Sequence, residues 1–152
     1  MGSYEVVRMT TIAADAARIH ALVDDFHHWQ QWSPWEDVDP AMQRTYTGPD
    51  SGVGAHYEWS GNRKAGRGSM EIVASTPEAI DVALVFQKPF SATNDVRFSF
   101  APDSAGGTTV EWRMRGEQSG VWGVLGKLIN MDKLVGKDFE KGLARLRSAA
   151  EA

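Results

Sequence analysis

The sequence predicts an α+β domain: a curved, seven-stranded antiparallel sheet wrapped around one long C-terminal helix, with a short helix pair between the first two strands. Three observations lead there. Over 121–150 the apolar residues Val121, Leu125, Leu128, Met131, Val135, Phe139, Leu143 and Leu146 recur every three or four positions, which places them on one face of a helix. Ahead of that helix lie stretches in which apolar and polar residues alternate, the period of half-buried strands. Hairpin-length turns separate those stretches, and such short links imply antiparallel pairing.

Taken in order, residues 4–11 form a first strand through Val6, Val7, Met9 and the β-branched Thr10 and Thr11. A helix starts at Ala14-Asp15, with Asp15 as N-cap or first-turn acid, and buries Ile19, Leu22, Val23 and Phe26. It runs out near His27-His28-Trp29, and Ser33-Pro34 stops any continuation, so two short helices end to end satisfy the segment. A strand over 42–46 ends at Gly48-Pro49-Asp50. Tyr57 and Trp59 then alternate with His56, Glu58 and Ser60, and a turn over 62–66 follows. Met70, Ile72 and Ala74 give the next inward row, then Ile80, Val82, Leu84 and Phe86, then Val96, Phe98 and Phe100. After a polar loop, Val110, Trp112 and Met114 complete the sheet. Lys133, Lys137, Lys141, Arg145 and Arg147 cover the outer face of the last helix, as amphipathicity requires. Gly126, with Asn130 nearby, marks a break between a lead-in helix and the main one, and Gly136 and Gly142 let the main helix approach the sheet.

The totals narrow the function. A chain of 152 residues suits one domain, 1–152, with length enough for a proper core. A net charge of −4 argues against nucleic acid as a partner. The sequence has no cysteine, which removes disulfides, thiolate chemistry and cysteine metal sites. Its apolar runs are too short for a membrane span and its start lacks a signal-peptide pattern, so a cytoplasmic protein is expected. No cofactor is called for, and the sequence sets no oligomeric state.

A strongly curved sheet leaves space beneath a helix, and apolar space of that kind is the usual small-molecule site. The residues expected to line it are Trp32 and Trp35 on the exit of the helix pair, Tyr57, Trp59, Met70, Phe86, Phe98, Trp112 and Met114 on the sheet, and Met131 and Phe139 on the helix. The methionines suit an adaptable wall, since thioethers repack around varied shapes. The Tyr57 hydroxyl and the indole nitrogens are the inward polar groups this reading finds. Such a lining suits a lipid, polyketide or aromatic ligand.

Other constellations read as structure. Asp24 and His28 share a helical face but have no third ligand at a defined spacing, so no metal site is expected. Ser33 lacks the glycines of a nucleophile elbow. Glu36, Asp37 and Asp39 read as a solvated acidic loop. His56 and Glu58 fall out of phase with Tyr57 and Trp59 and face solvent, which leaves no inward acid/base pair and no assigned catalytic residue. Arg63, Lys64 and Arg67 make a surface spot.

Several motifs carry a resemblance. They are Trp29-x-x-Trp32-Ser33-Pro34-Trp35-Glu36 with Asp39-Pro40; Gly52-x-Gly54-x-x-Tyr57-x-Trp59-Ser60-Gly61; Gly68-x-Met70; Lys88-Pro89-Phe90; Gly107-Thr108-x-Val110-x-Trp112; and Phe139-x-x-Gly142-Leu143-x-x-Leu146. With the element order, the chain resembles the polyketide cyclase/dehydrase and lipid-transport superfamily, the START-like helix-grip proteins. The resemblance implies a ligand cavity between sheet and helix, with the segment around Trp32 and Trp35 beside it. The break at Gly126 makes the lead-in helix, together with Lys88-Pro89-Phe90 on the loop between two strands, the expected gate. It implies binding, with transport as an extension, of a small hydrophobic or amphipathic molecule. Two alternatives share the scaffold: a cyclase or dehydratase acting on a poly-ketone, and an interaction module like the activators of the chaperone ATPase.

Overall fold

Alternating apolar residues become seven strands among the described residues: β1 (Ser3–Ile12), β2 (Gln43–Thr47), β3 (His56–Ser60), β4 (Arg67–Thr76), β5 (Ala79–Lys88), β6 (Ala92–Pro102) and β7 (Thr108–Glu117). The computed structural model describes residues 3–36, 38–63, 65–88, 91–117 and 131–152, without the side chains of Ser3, Glu117, Met131 and Leu134. The sheet order is β1-β7-β6-β5-β4-β3-β2, antiparallel throughout. Register shifts between β4 and β5 at Arg67/Gly68 and Ile72/Ala74 bend the sheet locally, as bulges do.

Because β1 and β2 occupy opposite edges, the chain between them spans the sheet's width. Helix α1 (Ala16–Val23) and a 3-10 helix (Phe26–Gln31) make that passage, the expected helix pair. Ile19, Val23, Phe26 and Trp29 are buried. Asp15 stands at the N-cap with extended backbone; its carbonyl accepts from the Arg18 and Ile19 amides, and its carboxylate makes no capping bond. At the other end two indoles do the capping. The Trp29 Nε1–H donates to the Val23 carbonyl at 2.8 Å and the Trp32 Nε1–H to the Leu22 carbonyl at 2.9 Å. Carbonyls that a helix end leaves open are thereby satisfied, and both rings are fixed in the core.

Helix α2 (Met131–Glu151) lies against β1, with further contacts to α1 and the 3-10 helix. Phe139, Leu143 and Leu146 are buried while Lys137, Lys141 and Arg147 are exposed, as the periodicity requires. The expected lead-in helix with Gly126 and Asn130, the side chain of Met131, and Pro89-Phe90 of the expected gate lie outside the described residues, as do Asp37 and Lys64. Gly142 is a point of close approach: a Cβ there would stand 2.9 Å from both Pro34 Cδ and Trp112 Cζ3. The end of α2 is tied down by Arg18, whose guanidinium donates to the carbonyls of Ala150 at 2.5 Å and Ala152 at 3.2 Å. A cation on terminal helix carbonyls also complements the dipole.

Candidate functional site: the concave face of the sheet

Strand alternation turns one side chain of every two toward α2, and the inward set divides into two tiers. The deeper tier is an aromatic plug. Trp112 stacks on Phe139 with ring centroids 4.0 Å apart and planes within 7°. Phe98 lies 4.9 Å from Trp112, and Trp32 meets Trp112 edge-on at 5.5 Å. Trp32, Phe98, Trp112 and Phe139 are all buried. Trp35 closes the plug from the rim, edge-on to Trp112 at 5.7 Å, with 36% of its surface exposed.

The second tier is the end of the sheet that holds the N-terminal part of β6 and the C-terminal part of β7. Register aligns one row across every strand: Tyr46, Tyr57, Met70, Leu84, Asn94, Gly116 and Tyr4. The next row carries Arg44, Trp59, Gly68 and Phe86. Trp59, Met70 and Phe86 are half-buried, in contrast to the plug. Trp59 lies across Gly68, where a Cβ would fall 2.5 Å from its ring, and its indole N–H donates to the Ala65 carbonyl at 2.9 Å. Met114 is buried between the tiers, beside Val6 and Val96. Of the residues expected to line a pocket, the fold thus brings Trp59, Met70 and Phe86 to one end and Trp32, Phe98, Trp112 and Phe139 to the other, with Tyr57 and Met114 linking them.

The expectation that this face is poor in polar groups is corrected. Glu36, expected in a solvated loop, turns inward: its side chain is 9% exposed and its Oε1 accepts from Arg44 Nε at 2.8 Å. Arg44 Nη2 also donates to the Glu36 carbonyl at 2.6 Å, and the Tyr57 hydroxyl donates to Glu36 Oε2 at 3.1 Å. An inward carboxylate–phenol pair therefore exists where none was expected. Burial, and next the charge of Glu36, push the Tyr57 phenol far above the ordinary tyrosine range. It stays protonated, a hydrogen-bond donor.

Asn94 and Arg8 were missed, whereas the indole nitrogens were expected to face inward. Asn94 is 1% exposed; its Oδ1 accepts from the Tyr4 hydroxyl, and its Nδ2 has no partner among the described residues. The Trp112 Nε1–H is likewise unpartnered among them. A buried donor left unmatched costs about 1–3 kcal/mol. Arg8, on β1, reaches under α2 to Asp132 and Glu140, each at 2.8 Å. Gly136 makes room for it, since a Cβ there would stand 2.1 Å from Arg8 Nη2.

Outside the grip the candidate constellations dissolve. Asp24 Oδ1 accepts from the Ser75 hydroxyl at 2.7 Å while His28 Nδ1 pairs with the Ala21 carbonyl at 2.9 Å, so the two do not converge. His56 lies between Glu58 at 3.2 Å and Glu71 at 3.4 Å on the outer face, as its phase requires. An open depression of about 640 Å³ runs along the outer flank of α2 beside Gln31, Lys141 and Ser148, away from the aromatic face.

The tyrosines give a pH test of the inward arrangement. Tyr57, Tyr46 and Tyr4 all sit above the ordinary value of 10.0, burial being the largest cause for each. A phenol whose folded value is raised contributes stability that is fully present below pH 10.0 and is lost as pH rises beyond it. Alkaline unfolding of Tyr57→Phe, followed by circular dichroism, should therefore be shallower than that of the unaltered chain. Superimposable alkaline curves would contradict the burial of this hydroxyl against Glu36.

A curved antiparallel sheet closed by a C-terminal helix, with an aromatic inner face, defines a helix-grip protein. The chain belongs to the polyketide cyclase/dehydrase and lipid transport family, whose model matches residues 3–151. Solved structures share the fold at low identity. The di-domain ARO/CYC protein BexL superposes with a TM-score of 0.70 at 14% identity, over 99% of this chain and 50% of its own. The protein Ara h 8.0201 gives 0.67 at 13%, covering 98% of both chains. A Chromobacterium violaceum protein gives 0.68 at 14%, over 97% of this chain and 98% of its own. No curated protein matches the chain. No helix among the described residues is long and apolar enough to cross a membrane.

Proposed function

We propose that the chain binds a small hydrophobic or amphipathic molecule, such as a lipid, polyketide or aromatic compound, on the concave face beneath α2. The observation that carries this reading is the half-buried trio Trp59, Met70 and Phe86. Large apolar side chains on an inward face normally complete a core, as Trp112 and Phe139 do one tier deeper. Left half-covered, they offer apolar area at about 25 cal/mol per Å² removed from water. Trp59, Met70, Phe86 and Trp35 are the direct contacts in this reading, with Tyr57 and Met114 as floor and the plug residues as the closed end. Membership of a family of cyclases and lipid carriers supports it.

Native mass spectrometry of the freshly purified chain, followed by organic extraction, tests it. The expected result is a noncovalent adduct that yields a hydrophobic compound on extraction. A bare mass, together with no change in tryptophan fluorescence on titration with fatty acids and polycyclic aromatic compounds, would sink the reading.

The inward Glu36–Tyr57 pair favours one second reading, a cyclase or dehydratase. Arg44 and Tyr57 both bond the Glu36 side chain, so a carboxyl group and a phenolic hydrogen-bond donor stand side by side, the kinds of group that proton transfer around a ketone uses. Turnover of a poly-ketone that disappears in Glu36→Gln would select this reading; binding without turnover would select the carrier. The interaction-module reading finds less support. Of the exposed apolar residues, Val53 lies in the loop before β3 and Val73 on β4, and Met9 lies on β1, which three other strands separate from β4.

A further inference from the structure

We propose that the ligand of this concave site carries a neutral carbonyl-type oxygen, and that the side-chain amide of Asn94 holds it. The inference rests on the binding reading above and adds the polar chemistry that would orient the ligand. Asn94 shares its face of β6 with Val96, Phe98 and Phe100, so its amide enters the grip among apolar side chains. Native interiors rarely leave such a group half-satisfied. Here the fold satisfies one end only.

A glycine makes room for the amide and its tyrosine partner. The cross-strand neighbour of Asn94 on β7 is Gly116, where a Cβ would fall 2.1 Å from Asn94 Oδ1 and 2.5 Å from the Tyr4 hydroxyl oxygen. Any larger residue would displace the Tyr4–Asn94 bond. On the other side stands Leu84, which offers no acceptor. Tyr4 fixes Oδ1, and Nδ2 keeps a hydrogen to donate to an oxygen that the described residues do not supply. A ligand oxygen accepts it through one lone pair.

The charge balance selects a neutral acceptor. Arg8 is matched by Asp132 and Glu140, and Arg44 by Glu36. A carboxylate or phosphate buried beside Asn94 would therefore find neither of these two cations free to balance it, and an unbalanced buried charge carries a heavy desolvation cost. A ketone, ester or amide carbonyl would not. Trp59, Met70 and Phe86, on the same end of the sheet, would cover the apolar body attached to it.

The test uses a matched pair of probes, acetylnaphthalene and isopropylnaphthalene, which have nearly the same shape and differ in the carbonyl. Tryptophan quenching gives the affinities, and isotope-edited infrared spectroscopy reads the carbonyl stretch of the bound ketone. The unaltered chain should prefer the ketone by about fivefold, the size of one net hydrogen bond, and should move its carbonyl stretch to lower frequency. In Asn94→Leu the preference should fall to about one and the frequency shift should vanish. Tyr4→Phe, which frees the amide to rotate, should give a smaller preference. Equal affinity for the two probes in the unaltered chain, or an unshifted carbonyl, overturns the inference and leaves the binding reading standing. Binding of neither probe overturns this inference, and the binding reading falls with it when the purified chain also shows a bare mass and no response to fatty acids. The unaltered chain decides the matter alone if the leucine variant does not fold.

Discussion

Replacement of Trp112 with alanine is expected to cost about 3–5 kcal/mol of folding stability, the range for deleting a large aromatic side chain from a close-packed core. The ring stacks on Phe139 of α2 at 4.0 Å and meets Phe98, Trp32 and Trp35. It therefore joins the sheet, the helix pair and the long helix at one place. Its removal would leave a cavity among rings held by other contacts: Trp32 is anchored by its bond to the Leu22 carbonyl, and α2 already packs closely on Pro34 at Gly142. Collapse around the void is therefore restricted, which puts the cost toward the upper part of the range. Trp112→Phe should cost far less, because it keeps the stack and discards an indole N–H that has no partner among the described residues. Chemical denaturation of both variants checks this; an alanine variant within 1 kcal/mol of the unaltered chain would mean that the plug is not close-packed. Unchanged ligand affinity in a folded Trp112→Ala chain would retire a ligand role for this ring.

The fold was legible because two periods, two and about 3.6, account for most of the chain. Val110-x-Trp112-x-Met114 has one strand phase and Phe139, Leu143 and Leu146 have one helical phase, and burial follows both. The strand ends were less legible, and that is where the site was lost. The apolar row Val96, Phe98 and Phe100 suggests a strand over 96–100, yet β6 begins at Ala92. Thr93-Asn94-Asp95 has the composition of a turn, and pairing with Gly116 and Leu84 overrides it. Extending the phase of Val96 back by two residues would have placed Asn94 inward. Arg44 had a similar signal, lying in phase with Met42 and Tyr46.

Glu36 had none. It sits in a loop, where no periodicity assigns a face, and its position depends on where Arg44 and Tyr57 arrive from two different strands. Acidic loop residues between Trp35 and Pro40 read as solvated for that reason. Ring identity in the plug was equally beyond sequence: alternation shows that Trp59 and Trp112 both face inward, but only the position of α2 separates the half-buried ring from the buried one. Periodicity assigns faces, and depth is a tertiary property.

Arg44→Met is expected to cost about 2–3 kcal/mol. The Glu36 side chain is 9% exposed and that of Arg44 21%, so the pair is partly buried. Breaking a fully buried pair by removing one partner costs about 3–5 kcal/mol, because the remaining charge stays desolvated; solvent at Arg44 lowers that figure here. Glu36→Gln combined with Arg44→Met removes both charges and keeps an acceptor for the Tyr57 hydroxyl. The double variant should therefore be more stable than Arg44→Met alone at neutral pH, a coupling that a double-mutant cycle measures directly. Additive losses would show that Glu36 reaches water and that the carboxylate–phenol pair is not held inside the grip.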